Sequence, residues 1–75
     1  MDLSNAIKKI RQRSFMTQEQ FATEMGVAFS TVNRWENGKT IPNMTAMKQL
    51  RDYCERNNIP FEELEEAWLG ESAKE

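Results

Sequence analysis

Asn33 and Arg34 are the two side chains of this sequence best built for paired, in-plane hydrogen bonding. An amide carries a donor and an acceptor side by side and so matches N6 and N7 of adenine; a guanidinium offers parallel donors and so matches O6 and N7 of guanine. Ser30 can donate or accept and discriminates little. Phe29, in the same run, either covers a thymine methyl or folds back on Met25 or on a second copy of the chain. For Arg34 the plainer alternative is a surface arginine contacting phosphate, and for Asn33 an ordinary polar surface position. Other chemistries find less support. The chain has no histidine and one cysteine, Cys54, which excludes an internal disulfide and argues against tetrahedral zinc; Cys54 reads as a small buried hydrophobe. Its serines and threonines have no evident activating base, and the carboxylates near its end are spaced as a solvated face. Neither catalysis nor a cofactor is expected, and no metal site.

These side chains need an element to hold them, and Thr17 to Lys39 supplies one. Thr17 is a good N-cap, Gln20 completes a capping box, and Met16 with Phe21 forms a hydrophobic staple. Phe21, Ala22 and Met25 then follow helical spacing, while Gln18, Glu19 and Glu24 can stay in water. Gly26 supplies the positive φ that ends this helix, and Val27 can return to the core. A second helix buries Val32 and Trp35, which turns Phe29, Ser30, Asn33 and Arg34 outward or to its flanks. A turn at Asn37-Gly38 closes it. This is a helix-turn-helix, and an α-helix of that kind fits the major groove of B-form DNA.

Thr17-Gln18, Phe21-Ala22, Gly26-Val27, Thr31-Val32 and the run Arg34-Trp35-Glu36-Asn37-Gly38-Lys39 resemble the helix-turn-helix domain of phage repressors and Cro proteins, the XRE-type domain. The resemblance covers nearly the whole chain. It implies that Gln18 contacts a backbone phosphate and braces a side chain of the second helix, with Thr17 beside it. It implies that Asn37 and Lys39 grip phosphate through a main-chain amide and an ammonium, with Arg13 as a flanking contact. It further implies a structural pair between Arg11 and Glu36. The chain departs from the pattern at Ala28, where a serine or threonine commonly caps the helix, and at Phe29, where a polar residue is common.

The remaining sequence reads as further helices, so the expected class is all-α, a compact five-helix repressor-like domain over residues 1–70, motif at 17–38, with 71–75 as a flexible tail. A first helix ends at Arg13 and carries Leu3, Ile7 and Ile10 on one face. Pro42 separates the helix-turn-helix from a fourth helix, about Met44 to Asn57, that buries Met47, Leu50 and either Tyr53 or Cys54, with Asn43 as N-cap. A last helix starting near Pro60 carries Phe61, Leu64, Trp68 and Leu69 and stops at Gly70.

At 75 residues the chain is one domain, and its net charge of -2 is unevenly spread. Residues 1–39 carry net +2 and residues 40–75 net -4, an asymmetry that sets basic charge with the helix-turn-helix and acidic charge away from a phosphate backbone. No 18-residue apolar run exists and the N-terminus lacks the order of a signal peptide, so a cytoplasmic protein with no membrane contact is expected. The expectation is a small sequence-specific regulator of transcription, a repressor in the first instance, binding double-stranded DNA at a palindromic operator as a homodimer. The competing reading is an antitoxin-like or adaptor protein whose helical surface, including Phe61, Trp68 and Leu69, binds a protein partner.

Overall fold

The computed structural model describes residues 2–72, which form five α-helices and no strand: α1 Leu3–Arg13, α2 Gln18–Met25, α3 Phe29–Glu36, α4 Met44–Arg56 and α5 Glu62–Ser72. Three helices begin on a side chain that satisfies an orphan amide. Asp2 accepts the Asn5 N–H at 2.9 Å, and that bond, aided by the Ser4 hydroxyl, holds its carboxyl below the usual range. Thr17 and Gln20 form the complete capping box, with Gln20 N–H on Thr17 Oγ1 at 3.1 Å and Thr17 N–H on Gln20 Oε1 at 3.0 Å. Asn43 accepts from Ala46 N–H at 2.9 Å. Of the first four helices only α3 lacks such a bond, its N-cap residue being Ala28.

The ends of α1 to α4 share one geometry. Each closes in a Schellman turn, in which a residue with positive φ sends its N–H back three positions and the next residue sends its own back five. The left-handed residues are Phe15, Gly26, Gly38 and Asn58, with φ of 56°, 70°, 73° and 55°. The paired bonds run from Phe15 and Met16, Gly26 and Val27, Gly38 and Lys39, and Asn58 and Ile59. Glycine and asparagine tolerate this conformation; phenylalanine does not, because its Cβ crowds the backbone.

One core lies between the helices. Leu3, Ile7 and Ile10 of α1, Phe21 and Met25 of α2, Val32 and Trp35 of α3, Leu50, Tyr53 and Cys54 of α4, and Leu64 of α5 all belong to it. Tyr53 and Cys54 are both buried, and Phe21 meets the Tyr53 ring edge-on with centroids 6.0 Å apart. Burial pushes the Cys54 thiol up to about 11, consistent with a packing residue and not a reactive one. α5 packs against α1, and the Trp68 indole N–H donates to the Pro42 carbonyl at 2.6 Å, tying α5 to the segment that follows α3.

Three expectations for the last helix change. Pro60 lies outside it: Phe61 C=O accepts the Glu65 N–H, so the first helical residue is Glu62. Gly70 does not stop it; the helix runs through Gly70 to Ser72, since a helical glycine costs only about 1 kcal/mol relative to alanine. Of the expected tail, Glu71 and Ser72 are therefore helical, and residues 73–75 lie outside the described residues. Leu69 is 54% exposed, while Phe61 and Trp68 pack against the core.

Phe15 combines a left-handed backbone with 95% exposure, so its ring contributes no burial that would offset the strain. Phe15→Gly should raise stability by about 0.5–1 kcal/mol, the relief of strain less the added freedom of the unfolded chain. Thermal unfolding would show this as a rise of a few degrees; a fall would mean that the ring is packed in solution.

Candidate nucleic-acid interface

The polar surface of α3 follows from what the helix buries. With Val32 and Trp35 in the core, Ser30, Asn33, Arg34 and Asn37 fall at i, i+3, i+4 and i+7 on the opposite side. Ser30, Arg34 and Asn37 are exposed and Asn33 is half-buried. Phe29 keeps 51% of its surface in solvent, at the open end of the same helix.

Beneath this stripe runs a chain of hydrogen bonds linking three elements. Arg11 of α1 grips the Glu36 carboxylate with both arms, Nε on Oε2 at 2.7 Å and Nη2 on Oε1 at 2.9 Å, and Nη1 reaches the Met16 carbonyl at 3.0 Å. The Glu36 side chain is only 3% exposed. Its hydrogen bonds push the Arg11 pKa above the ordinary arginine value, outweighing the opposite effect of burial. Gln18, the first residue of α2, donates Nε2 to Glu36 Oε1 at 3.1 Å. Asn33 donates Nδ2 to Gln18 Oε1 at 3.2 Å, and Asn37 donates Nδ2 to Asn33 Oδ1 at 3.0 Å. Arg11 and Glu36 thus meet at the root, and Gln18 braces Asn33. An amide has two donors and two lone pairs, so Asn33 retains one of each for a partner in front of α3.

The candidates for phosphate contact stand around this stripe. Thr17 Oγ1 accepts from Gln20 and keeps its hydroxyl hydrogen. Gln18 likewise retains one donor at the positive end of α2, where helix amides favour an anion. Arg13 and Lys39 are exposed. Asn37 differs from expectation: its main-chain N–H is already bonded to the Asn33 carbonyl at 3.0 Å, the next turn of helical bonding, and so is not free for phosphate. Its exposed side chain is instead the last link of the chain behind Asn33.

Lys39 is distinguished by position. The residue after a left-handed helix end usually plugs back into the core, and Met16, Val27 and Ile59 do so after α1, α2 and α4. After α3 the same place is taken by an exposed lysine. Sequence reading missed the Asn37–Asn33 link, although their spacing of four was a legible signal, and missed that Lys9 comes to 4.0 Å from Glu63. The acidic helix therefore packs beside α1 rather than at a remote end, and trims the basic charge of that flank.

Comparison with known proteins points the same way. The helix-turn-helix family model matches residues 7–64. The chain is 33% identical over 53 residues to the HTH-type transcriptional activator BcrR of Enterococcus faecalis, a match that covers 71% of this chain and 26% of that protein. It is 32% identical over 65 residues to the type II methyltransferase M.SsoII of Shigella sonnei, covering 83% of this chain and 17% of that protein. The chain thus spans about a quarter or less of the length of these relatives. No solved structure matches it. Among the described residues, no helix is long and apolar enough to cross a membrane.

Arg11→Ala would strand the Glu36 carboxylate in a site closed to water and should cost about 3–5 kcal/mol. Replacing both partners with apolar residues, Arg11→Met with Glu36→Leu, should cost far less, because no charge is left behind. Denaturant unfolding of the single and double variants measures the difference; equal losses would refute the buried pair as the cause.

Proposed function

We propose that this chain, which belongs to the helix-turn-helix family of Cro and phage-repressor type, binds duplex DNA by laying α3 in the major groove and regulates transcription from an operator. One observation carries the reading: the Asn33 amide is held by neighbouring side chains on the outward side of α3 with a donor and a lone pair unused, next to an exposed Arg34. Asn33 reads adenine and Arg34 reads guanine. Ser30 and Phe29 approach the neighbouring base edges, Phe29 against a thymine methyl. Thr17, Gln18, Arg13 and Lys39 hold the phosphates, which positions the reading side chains without adding sequence information. Occupancy of an operator overlapping a promoter excludes polymerase and so represses. No step of catalysis is assigned, in a chain without histidine; cytoplasmic residence goes with this role.

The chain acts on a palindromic operator as a homodimer, and a groove between α4 and α5 supports that reading. Met44, Met47, Trp68 and Leu69 line it together with Lys48, Arg51 and Glu65. Met44 and Leu69 are exposed. An apolar strip with cations on α4 and a carboxylate on α5 is complementary to itself when a two-fold axis sets α4 of one copy against α5 of the other. The reading in which this surface holds an antitoxin's target or another protein partner is the alternative.

Two measurements test these statements. Arg34→Ala should relax preference at one base position and cost about 1–3 kcal/mol, whereas Lys39→Ala should weaken binding to all sequences alike and reduce the salt slope by about one. Uniform loss in both would make Arg34 a phosphate contact. For the dimer, sedimentation across micromolar concentrations should show self-association, with or without operator DNA, that Leu69→Lys abolishes without unfolding the chain. A wild-type monomer under every condition would overturn it.

A further inference from the structure

The hydrogen bonds behind α3 have a direction, and its origin is chemical. A carboxylate paired with a guanidinium can only accept. Gln18 must therefore meet Glu36 with its nitrogen, which leaves its oxygen facing Asn33. Asn33 must in turn meet that oxygen with its own nitrogen, which leaves Oδ1 facing Asn37, and Asn37 answers with Nδ2. Turning over any one amide would set oxygen against oxygen at about 3 Å, an arrangement with no donor between them. The order of donor and acceptor on Asn33 is thus dictated from a buried charge two links away.

We propose that Glu36, Gln18 and Asn37 act as positioning residues that fix the order in which Asn33 presents donor and acceptor, and thereby decide which strand of an A·T pair carries the adenine it reads. In the major groove, adenine presents N7 and N6 in one order, and exchanging A·T for T·A reverses that order. An amide locked in one sense fits one of the two; an amide free to turn over fits both. The inference rests on the proposed reading of α3 as the helix that enters the major groove.

The test uses the full chain and a random pool of duplex DNA. Wild type should enrich a motif in which one position of each half-site, read in that half-site's own direction, prefers A·T over T·A by roughly tenfold or more, the size of a good bidentate contact, and Asn33→Ala should erase that position's preference. Asn37→Asp places a second acceptor-only group at the open end of the chain, so both ends now demand the Asn33 nitrogen. Glu36→Gln removes the acceptor-only root. In either variant the preference between A·T and T·A at that one position should fall to about threefold or less while the rest of the motif persists. Asn37 is exposed, so Asn37→Asp decides the matter even where Glu36→Gln does not fold. Side-chain amide spectra without DNA give an independent readout: one set of Asn33 Nδ2 signals in wild type, two sets or exchange broadening in Asn37→Asp. An unchanged preference at the Asn33 position, or a loss spread evenly over the motif, overturns the inference and leaves the DNA-binding reading standing. A wild type that enriches no motif overturns both.

Discussion

The Arg11–Glu36 pair is the interaction on which the other parts of this structure depend. It spans 25 positions of sequence, joins α1 to the last residue of α3, and uses a third guanidinium nitrogen to hold the Met16 carbonyl where the chain enters α2. A carboxylate with 3% exposure is tolerable only with such company, because neither the guanidinium nor the carboxylate can be buried alone. The pair is therefore more a specifier of arrangement than a source of net stability. It joins the helix that carries the outward side chains to the body that supports them, and it anchors the amide chain through Gln18 to Asn33.

The scaffold and the surface follow different rules at adjacent positions. Helix starts are closed by Asp2, Thr17 and Asn43, and helix ends by left-handed turns whose next residue returns to the core. At both ends of α3 those rules lapse. Ala28 supplies no side-chain cap, and Lys39 replaces the apolar plug. Local departures of this kind are expected where a surface must meet another molecule rather than complete its own fold.

The helices were legible because their boundaries are written locally. The capping box at Thr17 and Gln20, the glycines at 26 and 38 and the asparagines at 57 and 58 each carry their own physical reason, and α2 to α4 lie where those residues put them. Less legible were features that need the third dimension. No residue type announces a left-handed turn at Phe15, nothing near Gly70 shows that helix continuing, and the Trp68 bond to a carbonyl 26 positions earlier has no local signal either. In the candidate site, the stripe of Ser30, Asn33 and Arg34 was readable from periodicity alone. That the Asn37 main-chain amide is consumed by the helix, while its side chain supports Asn33, depends on how the last turn of α3 closes, which periodicity does not carry.

The packing of α5 on α1 has a consequence for how the chain comes to fold. The apolar face of α1, Leu3, Ala6, Ile7 and Ile10, is made before α5, yet α5 supplies part of its cover, with Leu64 beside Ala6 and Ile10. The helices between can form on contacts close in sequence, whereas this closure joins opposite ends of the domain and carries the entropy of the longest loop. During synthesis, part of the apolar face of α1 therefore stays uncovered after α3 has packed on it, until α5 has emerged. A chaperone or protease meeting that chain would encounter α1 before the domain had become a closed object.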